Sequence, residues 1–179
     1  LVDAQDGEQF PGWVVRQDRY VFGLTPIYRK YRMPVGAVIS VRVGEEPGSV
    51  MVDFNAHRPR TEYVPIITPR DGRISFDYQK RSIGAEYDDL MVLGADDVTA
   101  VDTLFQTAQQ SRRTLPALVH QLMHELSRST PQGTVHAKTL YSAVNVLRRT
   151  PPAPVLAALA GSEDFEHIGN NHWRIRVRT

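Results

Sequence analysis

The chain contains no cysteine. That excludes disulfides, a thiol nucleophile and any cysteine-held zinc or iron–sulfur centre. The absence fits a reducing compartment, so a cytoplasmic location is expected. Long apolar runs are also missing. The longest spans residues 155–160, six residues, against roughly 18 needed for a membrane-crossing helix, and no membrane partner is expected. The opening residues Leu1-Val2-Asp3-Ala4-Gln5-Asp6-Gly7 hold no Met, no basic stretch and no apolar core. They do not read as a secretory leader, but as part of a longer chain. The glycines are scattered and match neither a phosphate-cradling loop nor a nucleophile elbow. No cofactor and no catalytic activity are expected.

What remains is an ordinary globular composition. The 179 residues are 41% hydrophobic and 23% charged, enough for one domain or two small ones. The formal net charge of +1 conceals an asymmetry. Residues 1–110 carry twelve Lys and Arg against sixteen Asp and Glu, a net of −4. Residues 111–179 carry nine against four, a net of +5, and five of the six His. A basic part joined to an acidic part is a pointer to polyanion binding.

The first part alternates as strands do. Residues 13–15 and 20–22 are short apolar groups. Over residues 35–43, Val35, Ala37, Ile39, Val41 and Val43 alternate with smaller or polar residues, which predicts one buried face. The turn Gly44-Glu45-Glu46-Pro47-Gly48 then leads into a partner strand over 49–54. Strands are also expected over 62–68, where Pro65 suggests an edge or a bulge, over 73–79, and near 89–93. The expectation is a β-rich domain over residues 1–95, a small barrel or a strongly bent sheet.

The period then changes. Asp96-Asp97 caps a helix with Val98, Val101, Leu104, Phe105 and Ala108 on one side, and residues 96–113 read as helix and linker. From Thr114, Leu115, Leu118, Val119, Leu122, Met123 and Leu126 form an apolar stripe with Pro116 in the first turn. A second helix opens at Thr134 or His136, with Val135, Leu140, Tyr141, Val144 and Leu147 facing inward. A third covers residues 155–160 after Thr150-Pro151-Pro152-Ala153-Pro154, and ends at Gly161. Phe165 and Ile168, the turn Gly169-Asn170-Asn171, and alternating Trp173, Ile175 and Val177 predict a closing hairpin.

Three short helices followed by a hairpin is a winged helix-turn-helix order, and residues 114–179 are expected to form that domain, so the overall fold class is α+β. Residues 114–177 resemble the HARE-HTH winged-helix module of the bacterial RNA polymerase delta subunit and of some chromatin proteins and restriction systems. The likeness rests on Leu118, Leu122 and Leu126, on the segment Thr134-Val135-His136-Ala137-Lys138-Thr139-Leu140-Tyr141, on the helix around residues 154–159, and on the ending from Phe165 to Ile175. It implies a nucleic-acid-associated, transcription-related role.

Basic residues supply the candidate site. Arg174, Arg176 and Arg178 lie two apart on the last strand, so alternation puts them opposite Trp173, Ile175 and Val177. They either line a phosphate backbone or form a solvated strand face. Lys138 opens the second helix and Arg148-Arg149 end it, as phosphate contacts or as partners of the helix ends. In the first part, Arg29-Lys30-Tyr31-Arg32 interleaves cations with an aromatic, and Arg58 and Arg60 fall in a loop after the first hairpin. These patches fit nucleic acid or a protein partner.

Other constellations are weaker. His120 and His124 have helical ligand spacing, but border the apolar stripe and read as a helix face rather than a metal site. Asp77, Lys80 and Glu86 faintly resemble a nuclease set and read as surface charge. The sequence therefore points to a non-enzymatic protein that binds duplex DNA through arginine–phosphate contacts. Base reading would be weak, because the third helix offers no Arg, Asn or Gln. The alternative is a protein–protein adaptor of a polymerase- or chromosome-associated assembly, and a distant third is a fragment of a nuclease or restriction-type enzyme.

Overall fold

A computed structural model describes residues 1–17, 20–70, 72–130 and 132–177. The chain is α+β, with five helices and several small sheets among the described residues. It divides into two units. Residues 1–62 and 81–88 form one, and residues 63–80 and 89–179 the other.

The first unit begins with β1 (Val2–Asp3), β2 (Trp13–Val15), β3 (Tyr20–Phe22) and α1 (Thr25–Lys30). β4 (Ile39–Val43) and β5 (Val50–Phe54) follow. Then come β6 (Ala56–Arg70) and β7 (Arg73–Ala85), each of which contributes residues to both units. β5 is the middle strand of an open sheet, parallel to β1 and antiparallel to β4, with Val52 opposite Val41. β2 and β3 pair with each other, Trp13 opposite Phe22, in a two-stranded sheet among the described residues. No sheet closes on itself among the described residues, so the barrel alternative does not hold. Each sheet has only two or three strands, too few to close edge to edge.

One buried cluster of this unit joins Leu24, Ile27 and Val52, with Leu1, Phe10, Val21, Tyr31, Met33 and Ile39 packed against it, and Phe54, Ile83 and Ala85 are buried as well. Two expectations fail here. The strand expected over 35–43 starts only at Ile39, and its predicted inner face is not buried, since Val43 is 91% exposed. β4 is the outer strand of the sheet, and the buried side chains come from β5 instead. The helix α1 was also unexpected. Pro26 starts it, but Ile27 is its one buried residue, so it has no apolar stripe to announce it.

The second unit adds β8 (Gly94–Ala95), α2 (Val98–Gln110), α3 (Leu115–Arg128), β9 (Thr134–His136), α4 (Ala137–Leu147), α5 (Pro152–Ala160), β10 (Phe165–Gly169) and β11 (His172–Ile175). The side chains of Asp97 and Thr114 accept from Ala100 N–H and Thr114's third neighbour Ala117 N–H, capping α2 and α3 as expected. One continuous core joins Leu118, Leu122, Met123 and Leu126 of α3 to Leu140, Val144 and Leu147 of α4 and to Val155 and Leu159 of α5. Ile67, Ile74 and Phe76 from the far ends of β6 and β7 enter the same core. Pro65 is buried in the middle strand of the sheet β7-β6-β8 rather than at an edge. The parallel pairing with β8 begins at Ile66, one residue past the missing N–H.

The segment before α4 is a strand, not the first turn of a helix. Residues 134–136 of β9 pair antiparallel with β11, giving a three-stranded sheet of order β10-β11-β9. His136 then caps α4, its Nδ1 accepting from Lys138 N–H. The hairpin β10–β11 turns at Asn170 and Asn171, both left-handed at φ 46° and 57°, a conformation Asn tolerates better than most residues. Among the described residues, no helix is long and apolar enough to cross a membrane.

Candidate nucleic-acid interface

The expected arginine row lies on β11 and the residues after it. Arg174 sits opposite Glu166 across the hairpin, and its Nη2 lies 2.8 Å from Glu166 Oε2. This ion pair is half exposed on both sides, so it contributes little stability and an incoming phosphate can compete for it. Arg176 is exposed and its guanidinium approaches Phe165 C=O at 3.5 Å, while its backbone N–H donates to Asp164 C=O. Arg178 lies outside the described residues. Trp173 and Ile175 pack against the core, but Val177 is 86% exposed and does not continue their face. The strand ends at Ile175, so alternation no longer applies there. The Trp173 ring also lies 4.9 Å from that of His167, and its buried indole N–H has no hydrogen-bond partner among the described residues.

Lys138 is exposed in the first turn of α4. Arg148 and Arg149 follow the last turn of that helix. Arg149 stacks over the Phe105 ring of α2 at 6.0 Å. The Arg148 Nη1 donates to Arg113 C=O at 3.1 Å. Arg148 thereby comes beside Arg112 and Arg113, 35 or more residues earlier in the chain, in a cleft that no spacing in the sequence announces.

In the first unit the candidates differ in their surroundings. Lys30 is enclosed by carboxylates: its Nζ bonds Asp6, Glu8 at 2.8 Å and Asp3 at 3.1 Å. These bonds, to Asp6 first, hold its ammonium well above the ordinary lysine range, and the Lys30 bond in turn holds the Asp6 carboxyl below its usual value. Lys30 is thus a structural counter-ion. Asp3 is 1% exposed and also accepts from the Tyr31 hydroxyl and Gln5 N–H. Arg29 and Arg32 are exposed at the end of α1, Arg32 in a left-handed conformation at φ 51°. Arg58 and Arg60 belong to the strand β6 rather than to a loop, two apart and both exposed, hence on one face.

His120 and His124 stack at 4.9 Å on α3, and His120 Nε2 lies 3.3 Å from Asp164. Among the described residues no group of three or more His, Asp or Glu is arranged to hold a metal ion. Asp77 bonds Arg70 and the Thr68 hydroxyl, its neighbours in the β6–β7 ribbon. Comparison with protein families, with characterised proteins and with solved structures finds no match.

Proposed function

We propose that residues 114–177 form a winged-helix module that binds duplex DNA through its phosphate backbone, with little base reading. The observation that carries this is β9. A strand between the first two helices that pairs with the closing hairpin is what makes a wing of a plain helix-turn-helix. Lys138, Arg148, Arg149 and Arg176 are exposed in the same unit. α5, in the position of a reading helix, presents no polar side chain that could pair with a base edge. Affinity then comes from charge, as befits a part of the chain with a net of +5.

The test is fluorescence anisotropy on a short duplex between 50 and 200 mM salt. Four phosphate contacts predict about 100-fold weaker binding across that range. Arg176→Ala should lower the salt slope by about one, whatever the duplex sequence. Absence of binding at 50 mM salt sinks the proposal. A second reading, a protein adaptor, draws on a different observation: Leu156 is 45% exposed on the uncharged outer face of α5. Loss of a partner protein on Leu156→Asp, with DNA binding intact, would assign α5 to that role.

A further inference from the structure

The cleft of about 270 Å³ lined by Ala108, Gln109, Arg112, Arg113 and Arg148 holds three guanidinium-bearing residues, and no carboxylate among its described lining residues. Like charges gathered in one cleft repel, and that repulsion is relieved by counter-charges or by a bound anion. The neighbouring groups do not supply the first. Arg113 donates to the neutral Gln121 side chain and Arg148 to a backbone carbonyl, and the Arg112 guanidinium has no partner among the described residues. The carbonyl of Leu147 at the end of α4 is served by the Gln109 amide, not by an arginine.

The backbone adds a second observation. α2 ends at Gln110 with Ser111 as its C-cap, and Arg112 follows in the left-handed region at φ 48°. That position favours Gly or Asn, and a larger residue there is strained. An arginine placed at such a cost points its interest to the side chain rather than the turn. A larger cleft, about 400 Å³, beside His136 and His172 makes a useful contrast: its Thr139 and Thr130 hydroxyls already bond carbonyls of Leu90 and Ser127.

We infer that the Arg112–Arg113–Arg148 cleft is a binding site for a phosphate group, gripped by guanidinium forks as oxyanions characteristically are. The inference goes beyond the DNA reading, because the phosphate is either free in solution or part of a nucleic-acid backbone. Both sources are tested on the whole chain, by following arginine side-chain N–H resonances. Inorganic phosphate, added at constant ionic strength against chloride, should shift Arg112, Arg113 and Arg148 saturably, with a Kd on the order of millimolar. Arg42, held by Asp53 in the first unit, should not respond. Arg112→Gln leaves every bond described above in place, so it should fold normally and weaken phosphate binding about tenfold.

A short duplex forms the second arm. If it shifts the same three resonances, and phosphate competes, the ligand is a backbone phosphate. If no duplex binds but inorganic phosphate does, the cleft is a free-phosphate site and only the DNA reading fails. If neither probe shifts the three resonances beyond the drift seen at Arg42, the inference is overturned, whether or not DNA binds elsewhere.

Discussion

Asp3 is the residue on which the first unit's polar interior turns. A carboxylate this deeply buried is tolerated only with its bonds satisfied, here by Lys30, Tyr31 and Gln5. Replacing it with Ala strands the Tyr31 hydroxyl and removes a charge-assisted network, at a cost of about 3 kcal/mol in denaturant unfolding. Asp6 sets a pH dependence. Its carboxyl is held below the ordinary value by Lys30, so its contribution is present above the usual carboxylate range near pH ~4 and is lost as pH falls through its lowered value. Thermal melts taken from pH 7 down to pH 3 should show that loss, and Asp6→Asn should flatten it. None of this was legible in the sequence. The cation-and-aromatic run 29–32 has the composition of a nucleic-acid patch, and only the fold brings residues 3, 6 and 8 up to Lys30.

At the scale of elements, the packed helices should be the least forgiving. Leu140 and Leu159 are fully buried in one core, so Leu140→Ala or Leu159→Ala should cost about 2–5 kcal/mol, read by denaturant unfolding. The hairpin turn is a finer probe. Asn171→Val places a β-branched side chain in the left-handed region and should cost about 1–2 kcal/mol, whereas Asn170→Gly should be close to neutral. The α3 stripe was readable because five buried side chains recur at helical spacing over fourteen residues. β9 was not, because Thr134, Val135 and His136 span too little chain for a period. Their strand identity comes from pairing with β11, and His136 belongs to the following helix only as its cap. β4 shows the opposite case. Its alternation is real, but an outer strand has no core to face at Val41 and Val43.

For the whole molecule, charge is divided more sharply than the net of +1 suggests. The proposed DNA contacts and the phosphate cleft both lie in the second unit, so removing phosphate or raising salt should act there. A chain carrying Arg29→Ala, Arg32→Ala, Arg58→Ala and Arg60→Ala should keep its salt slope on duplex DNA unchanged. A slope reduced by these four would move the interface to the first unit. The sequence by itself determined the α+β class, the caps and stripes of the long helices, the closing hairpin and the charge asymmetry. Each is a local or summed property of consecutive residues, and periodicity, capping and charge are written in order along the chain. Only the tertiary structure decided which strand face is buried, which cations are neutralised and which stand together. Lys30 meets its carboxylates, and Arg148 meets Arg112 and Arg113, through contacts between residues distant in sequence. Coulomb and desolvation energies depend on those distances through space, which no spacing along the chain records.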